Sequence, residues 1–243
     1  MSGYRHLSPH VLLACKAFFK EINAIRVPAV LIGGGALGMH GLLRRNTKDL
    51  DINVGREVLS SAFKSRLPIV EKKQKQDVPG TWLWREEMRS GNEIRVHATY
   101  LSGNLHDVSF DIKVLNYAKP EEKRMLDALV LFSKSKDGIC FADLGPILAT
   151  KVVSVVGRTL SQGGKHDTDE DDFSTCILTM MDRKQKMPEE VAKIFLNPDL
   201  LQRFLRQDGL KNYDECFKAI NVRINDEVRL LPFLSRLAVI GQD

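Results

Sequence analysis

Long apolar runs are absent from this chain of 243 residues. Nowhere do about 18 apolar residues follow one another, so we expect no membrane span. Cysteines are few, and the four present form no CxxC pair or metal spacing, which favours reduced thiols over a disulfide framework. The stretch VLLACKAFF is interrupted by Lys16 and is too short for a signal peptide. We therefore expect a cytoplasmic protein with no membrane partner.

The charge of the chain is unevenly distributed. Its composition, 43% hydrophobic and 28% charged, is ordinary for a globular protein. Residues 1–120 hold 18 Lys and Arg against 11 Asp and Glu, a net +7, whereas the remainder holds 18 against 20, a net −2. A basic half is compatible with RNA such as tRNA, and equally with a bound nucleoside triphosphate. The composition leaves the oligomeric state open.

Residues 30–54 are the most informative segment. Their sequence, VLIGGGALGMHGLLRRNTKDLDINV, predicts a buried strand, a glycine turn, a short helix, a basic loop and a second strand. Asp49 and Asp51 lie two residues apart on the second strand, so their side chains share one face. Leu50 and Ile52 then face the core.

Two carboxylates on one strand face repel each other unless a proton or a cation lies between them. Oxygen ligands suit a hard divalent cation, so Asp49 and Asp51 predict a site for Mg2+ or Mn2+. The glycines at 33, 34 and 35 leave room for phosphate oxygens to approach backbone N–H groups at a helix start. Together these features are typical of phosphoryl or nucleotidyl transfer.

The segment resembles the nucleotidyltransferase superfamily of DNA polymerase beta, in which a Gly-Gly or Gly-Ser turn and a short helix precede Asp-x-Asp on the next strand. Its fuller pattern, G-G-x-A, H-G and R-x-T-x-D-x-D, is most similar to the minimal and AbiEii-type branches. The residues that match are Gly33, Gly34, Ala36, His40, Gly41, Arg45, Thr47, Asp49 and Asp51.

The resemblance implies an α/β (α+β) fold, with a small mixed-sheet nucleotidyltransferase domain and a helical C-terminal region that completes the cleft. We expect the domains at residues 1–120 and 121–243. The implied reaction is metal-dependent transfer of a nucleoside monophosphate from an NTP to a hydroxyl, with release of pyrophosphate. Gly33, Gly34 and Gly35 would cradle the triphosphate. Arg45 and Thr47 would contact phosphate or position the turn.

Outside this segment the apolar spacing predicts further elements. A hairpin is predicted from two alternating runs, 94–101 and 108–115, which are joined by Ser-Gly-Asn. Strand patterns are sparse from about residue 121 onward. The predicted helices are 8–26, 37–43, 57–67, 144–160, 173–181, 188–195, 199–205 and 214–220, with a last one near the C-terminus.

A third carboxylate is needed if two cations are to bind the attacking hydroxyl and the leaving phosphates. Asp111 is the preferred candidate because it lies mid-strand with its side chain off the apolar face. In the resembling family the third acid also lies on a later strand of the same sheet. Asp107 shares that face but lies beside the turn, where a solvated Asp is common, and it is the alternative.

The second half of the chain resembles the C-terminal motifs of the AbiEii-type enzymes. Lys151 and Arg158 are seven residues apart on one predicted helix, and an acidic run follows. The resemblance implies that Lys151 meets the triphosphate, with Asp169 or Asp172 as a supporting acid. A structural explanation is also open: Lys151 and Arg158 would be exposed charges on a helix, and the acidic run would stabilise the N-terminal end of the next helix.

Histidine and tryptophan residues near these motifs have structural interpretations. His40 and His97 are expected to be structural, because a metal-activated attack needs no dedicated histidine. Trp82 and Trp84 alternate along a strand, which favours a half-buried position over stacking on a nucleic-acid base.

Two further functional hypotheses belong to other classes. One is a nucleotide- or RNA-binding module that lacks catalysis, which is favoured if Asp111 does not lie near Asp49 and Asp51. The other is a protein of the same fold that acts on an RNA-borne group, such as an aminoacyl-tRNA, without nucleotidyl transfer. The acceptor itself, whether an RNA 3′ end, a protein hydroxyl or a small molecule, is not specified by the sequence.

Overall fold

A computed structural model of the chain describes residues 5–47, 49–72, 78–103, 106–158, 163–207 and 210–222. The chain divides into two compact units, residues 1–147 and 148–243. The fold is mixed α/β, as the sequence predicts. The strands are β1 Ala29–Ile32, β2 Asp49–Gly55, β3 Ile69–Val70, β4 Thr81–Met88, β5 Ile94–Leu101, β6 Val108–Leu115, β7 Ser133–Lys136 and β8 Ile139–Ala142. The α-helices are α1 Pro9–Ala24, α2 Gly33–Met39, α3 Ser61–Lys64, α4 Pro120–Leu131, α5 Leu144–Gly157, α6 Gly163–Asp182, α7 Glu189–Phe195, α8 Pro198–Leu205 and α9 Asp214–Ala219.

All these strands belong to one sheet with the order β3-β4-β5-β6-β2-β1-β8-β7. The predicted hairpin is confirmed, since β5 and β6 have the predicted bounds and pair antiparallel. The central pair, β2 and β6, is parallel, as are β1–β8 and β3–β4. This mixture of directions places two strands that are distant in sequence side by side at the middle of the sheet.

The pair β7–β8 was not among the predicted strands. Asp137 and Gly138 connect the two strands with φ angles of 54° and 78°. Positive φ at both residues of a two-residue loop, here Asp-Gly, is the preferred geometry of a hairpin turn. Because this hairpin joins the sheet through β8, the first unit extends to residue 147, beyond the expected boundary at 120.

The predicted helix 57–67 is wrong in its extent. Residues Arg56–Leu59 form a 3-10 helix, and the short α3 follows from Ser61. The Ser60 hydroxyl accepts a hydrogen bond of 3.2 Å from the Phe63 backbone N–H. A serine that caps a new helix start competes with continuation of the preceding turn, and the segment therefore divides there.

The core of the first unit is aromatic. Phe18 of α1 lies with its ring centroid 5.4 Å from that of Phe110 on β6 and 5.9 Å from that of Trp82 on β4. All three side chains are buried, so the interpretation of Trp82 as a core residue is confirmed. Large aromatic side chains bury extensive apolar area, and this cluster fixes α1 on one face of the sheet.

The second unit is helical in its described part, which confirms the predicted helical character of the later chain. Its core is also aromatic, with ring centroids of Phe173 and Phe204 at 4.6 Å and of Phe173 and Tyr213 at 4.9 Å. Helices α6, α8 and α9 contribute to this cluster through Phe173, Phe204 and Phe217. The predicted last helix falls within residues 223–243, outside the described residues.

The cysteines are free thiols, of which Cys15 and Cys176 are buried. Burial raises the pKa of the Cys15 thiol to about 12, so this thiol stays protonated and unreactive. In the described part of the chain, no helix is long and apolar enough to cross a membrane.

Replacing Phe18 with alanine tests the aromatic core. We expect Phe18→Ala to lower the free energy of unfolding by about 3–5 kcal/mol, because it leaves a cavity between α1 and the sheet. The matched control on the same helix is Leu13→Ala, where the leucine is 54% exposed. Urea denaturation should show the control within about 0.5 kcal/mol of the parent. Equal losses from both variants would contradict the assignment of Phe18 to the core.

Candidate active site

The pairing of β2 with β6 brings two of the predicted acids together. The strands are parallel, with Asp51 in register with Asp111 and Asp49 in register with Ser109. Neighbouring strands lie about 4.8 Å apart and paired residues point to the same face. Asp51 and Asp111 therefore leave one face of the sheet side by side, and Asp49 lies two residues along the same face.

Asp107, the alternative third acid, occupies a different position. It precedes β6, and its carboxylate accepts a hydrogen bond of 3.4 Å from the Ser102 backbone N–H. Asp107 is in register with neither Asp49 nor Asp51. The geometry favours Asp111 as the acid beside Asp51.

Gly33 lies against Asp51. Its φ is +58°, and a Cβ placed on it would come within 2.6 Å of Asp51 Oδ2. Both the backbone conformation and the space beside the carboxylate therefore require glycine here. A Cβ on the next residue, Gly34, would lie 3.5 Å from Thr47 Oγ1 and 3.8 Å from a guanidinium nitrogen of Arg45. The predicted glycine turn and the predicted helix 37–43 are wrong in their extent, because α2 already begins at Gly33 and ends at Met39. The first turn of α2, the basic loop and the acidic strand thus meet at one place.

The three glycines are not equivalent. A Cβ at Gly35 would lie 2.8 Å from Leu31 Cδ1 and 2.9 Å from Leu50 Cδ2, so this position packs on the core. Thr47 is buried, and its hydroxyl donates a hydrogen bond of 3.0 Å to the Asp49 carbonyl. Thr47 therefore fixes the backbone at the point where β2 begins.

Asp111 has a cationic partner that sequence reasoning missed. Arg95 on β5 lies with Nη1 3.3 Å from Asp111 Oδ1, and its Nε donates a hydrogen bond of 2.6 Å to Glu93. Partial burial acts against the charge of Arg95, but the hydrogen bond to Glu93 and the charge of Asp111 outweigh it, so the pKa of the guanidinium is raised. The alternation of run 94–101, in which Arg95 and Val96 take opposite faces, is the signal that could have found it.

The donor set has the chemistry of a hard-cation site. Asp49, Asp51 and Asp111 offer carboxylate oxygens, and Gly33 leaves open the space beside Asp51 that a side chain would fill. Among the described residues, no group of three or more His, Cys, Asp or Glu side chains is arranged to hold a metal ion. The carboxylate of Asp111 is turned to Arg95 instead.

The two histidines differ in their surroundings. The Nε2 atom of His40 lies 3.0 Å from the Ala142 carbonyl, and its ring packs edge-on against Phe141. His40 therefore ties the end of α2 to β8, which confirms its structural interpretation. His97 is in register with Asp111 on the neighbouring strand and is hydrogen-bonded to Glu87 at 3.0 Å.

In the second unit, the four residues selected from the sequence form one ionic cluster. The Lys151 ammonium lies 2.7 Å from Asp169 Oδ1 and 2.6 Å from Asp172 Oδ2, and all three side chains are buried. Arg158 Nη1 lies 2.6 Å from Asp169 Oδ2, an ion pair by distance that is not oriented as a hydrogen bond. Burial would lower the pKa of Lys151, but the charges of Asp172 and Asp169 outweigh it and raise that pKa.

The comparisons with known proteins are structural ones. No protein-family model matches the chain, and no curated protein sequence matches it. An antigenic nucleotidyltransferase-like protein from Paracoccidioides brasiliensis is similar at 14% identity with a TM-score of 0.55, over 88% of this chain and 94% of that one. JHP933 from Helicobacter pylori matches at 17% identity with a TM-score of 0.44, over 98% of this chain and 100% of that one. A CCA-adding enzyme of Thermotoga maritima, complexed with tRNA, matches at 10% identity with a TM-score of 0.33, over 89% of this chain and 52% of that one.

The likeness to the Paracoccidioides protein shows that this chain has a nucleotidyltransferase-like fold. The fold class expected from the resemblance is thereby confirmed. At this level of identity the likeness concerns the fold alone, and the roles of individual residues depend on the geometry described above.

Replacing Gly33 tests the close approach of Asp51. We expect Gly33→Ala to destabilise the protein by about 1–3 kcal/mol, because the residue must keep a positive φ and its Cβ would collide with a carboxylate oxygen. The matched control is Gly157→Ala near the end of α5, where a Cβ meets nothing within 4 Å. Thermal unfolding should show the control unchanged or more stable, since alanine favours the helix. A stable Gly33→Ala protein would contradict the geometry.

Removing Lys151 tests the buried ionic cluster. We expect Lys151→Ala to lower the free energy of unfolding by about 3–5 kcal/mol, because two buried carboxylates lose their counter-charge. The control is Lys193→Ala, which breaks an exposed pair with Glu189 and should leave the stability close to that of the parent. Urea denaturation followed by circular dichroism measures both. Equal stability of the two variants would show that the Lys151 ion pairs do not support the fold.

Proposed function

We propose that this chain is a metal-dependent nucleotidyltransferase of the AbiEii type. The proposed enzyme transfers a nucleoside monophosphate from an NTP to a hydroxyl acceptor and releases pyrophosphate. The acceptor oxygen forms a bond to the α-phosphorus, the bond from the α-phosphorus to the pyrophosphate oxygen breaks, and the acceptor loses its proton. The AbiEii-type branch is inferred from the pattern G-G-x-A, H-G and R-x-T-x-D-x-D in residues 33–51.

The register of β2 against β6 is the observation that carries this proposal. It gives Asp51 a second carboxylate, Asp111, on the adjacent strand and on the same face. The binding-only hypothesis expects Asp111 to lie away from Asp49 and Asp51, whereas Asp111 is in register with Asp51. The register therefore supports the enzymatic hypothesis over the binding-only one.

Each side chain of the first unit has a proposed role. Asp49, Asp51 and Asp111 would hold Mg2+ or Mn2+, which supplies charge stabilisation for the phosphates and a more acidic acceptor hydroxyl. Arg45 would neutralise phosphate charge beside Gly34. Thr47 would keep the loop in place through its hydrogen bond to the Asp49 carbonyl.

Other proposed contacts come from backbone groups and from the second unit. The backbone at Gly33, Gly34 and Gly35 would lie along the triphosphate. The resemblance assigns Lys151 to the same phosphates, with Arg158, Asp169 and Asp172 as supporting residues. Because the Lys151 ammonium already bonds two carboxylates, its phosphate role would require it to exchange one of them for the nucleotide.

We propose an RNA 3′ end, such as that of tRNA, as the acceptor. Positive side chains lie on the same sheet face as Asp111: Arg85 on β4, Arg95 on β5 and Lys113 on β6. Arg85 is 77% exposed and could contact a phosphodiester directly. Each of these cations also has an acidic neighbour, Glu87 for Arg85 and Glu93 for Arg95 and Lys113, with which an RNA phosphate would compete.

Asp111 provides the decisive variant for the proposed reaction. Purified protein with Mg2+ should transfer label from an α-labelled NTP to total RNA and should release pyrophosphate. We expect Asp111→Asn to reduce both by about a hundredfold or more, because it removes several kcal/mol of cation-dependent stabilisation. The control is Asp107→Asn, the same change at the acid outside the register, which should keep full activity.

The outcomes separate the functional hypotheses. Full activity in a folded Asp111→Asn protein would contradict the assignment of the third acid. Binding of NTP without release of pyrophosphate would favour a binding module. Modification of an aminoacyl-tRNA without incorporation of label would favour the same fold acting on an RNA-borne group.

A further inference from the structure

The side chain that neutralises Asp111 belongs to the protein itself. Arg95 Nη1 lies 3.3 Å from Asp111 Oδ1, and the two side chains are 22% and 38% exposed. An approaching cation and the guanidinium would both be positive and would compete for the same carboxylate. To bind Asp111 Oδ1, a cation must displace the guanidinium, and at Oδ2 the charge of Arg95 would still oppose it.

Glu93 makes this exchange feasible. Its carboxylate accepts a hydrogen bond of 2.6 Å from Arg95 Nε, a contact that does not involve the nitrogen facing Asp111. A half-buried guanidinium that lost every counter-charge would be strongly destabilised. With Glu93 in place, Arg95 can release Asp111 and still remain neutralised.

We propose that Arg95 is the resident counter-ion of Asp111 and that it sets the cation affinity of the site, because a divalent cation must displace it. This inference rests on the proposed function, which assigns a cation to Asp49, Asp51 and Asp111. It adds a positioning residue on β5 that tunes the site without touching the substrate.

The size of the effect follows from the charges at the site. The Arg95 guanidinium lies 3.3 Å from Asp111 Oδ1, so its charge opposes any cation that binds the same carboxylate. For a divalent cation this opposition is doubled. Removing the charge of Arg95 should therefore tighten cation binding by about tenfold or more.

The test measures binding of Mn2+ alone to the full chain, with free Mn2+ determined by electron paramagnetic resonance. Arg95→Gln removes the charge and keeps the length and hydrogen-bonding capacity of the side chain. We expect it to lower the Kd for Mn2+ by about tenfold or more. Lys113→Gln is the matched control, because Lys113 is the in-register neighbour of Arg95 and lies 3.9 Å from Glu93. It should change the Kd by less than about threefold, since Lys113 lies beside Glu93 rather than against the carboxylate of Asp111.

A double-mutant cycle locates the effect at Asp111. In the background of Asp111→Asn, which should itself weaken Mn2+ binding, Arg95→Gln should no longer tighten it. An unchanged or weaker affinity in Arg95→Gln would overturn the proposal for Arg95, while the loss in Asp111→Asn would keep the metal site and the proposed function. If Asp111→Asn binds Mn2+ as well as the parent does, both the assignment of Asp111 as a cation ligand and the proposed role of Arg95 are contradicted.

A second measurement uses the unaltered protein and does not depend on the folding of a variant. Saturation with diamagnetic Mg2+ should shift the Nε–H resonance of Arg95 in a nitrogen-15 spectrum as its bond to Asp111 is lost. The control is Arg89, whose Nε donates to Glu87 at 3.2 Å and which should not shift. An Arg95 resonance that stays in place when Mg2+ saturates the protein would overturn the exchange.

Discussion

The parallel pairing of β2 with β6 is the constraint on which the candidate site depends. Leu50 and Ile52 of β2 are buried and in register with Phe110 and Ile112 of β6. A slip of one residue in this pairing would turn every side chain of one strand to the other face. The aspartates would then enter the core as unpaired charges, at a cost of several kcal/mol each. Burial of the hydrophobic face of the sheet therefore fixes the register, and the register keeps the aspartates on the polar face.

Charge is neutralised in two different ways in the two units. In the second unit, Lys151 is buried together with Asp169 and Asp172, and its ammonium bonds both carboxylates. In the first unit, Asp111 and Arg95 are partly exposed, and Arg95 has a second carboxylate in Glu93. The second arrangement therefore exchanges its counter-charge more readily than the first, in which a phosphate would have to replace a buried carboxylate.

The sequence predicted the parts of the site that local patterning determines. Alternation alone was sufficient for the faces of β2 and β6, and the position of Asp107 beside the turn favoured Asp111 over it. The ion pair between Arg95 and Asp111 could not be predicted in this way, because the two residues are not in register on β5 and β6. Their contact depends on the direction that each side chain takes. The pair β7–β8 was missed because Ser-Lys-Ser-Lys has low strand propensity. The Asp-Gly turn between its strands was the available indication.

The two borders of the sheet have a consequence for the behaviour of the protein at high concentration. Within the described ranges, one border is β3, which is only two residues long, and the other is β7, whose lysines Lys134 and Lys136 are exposed. Short edge strands and edge lysines hinder the addition of a strand from another molecule. A sheet of this width would otherwise be a template for aggregation during synthesis and storage. Its termination at both sides protects the chain from intermolecular β-pairing.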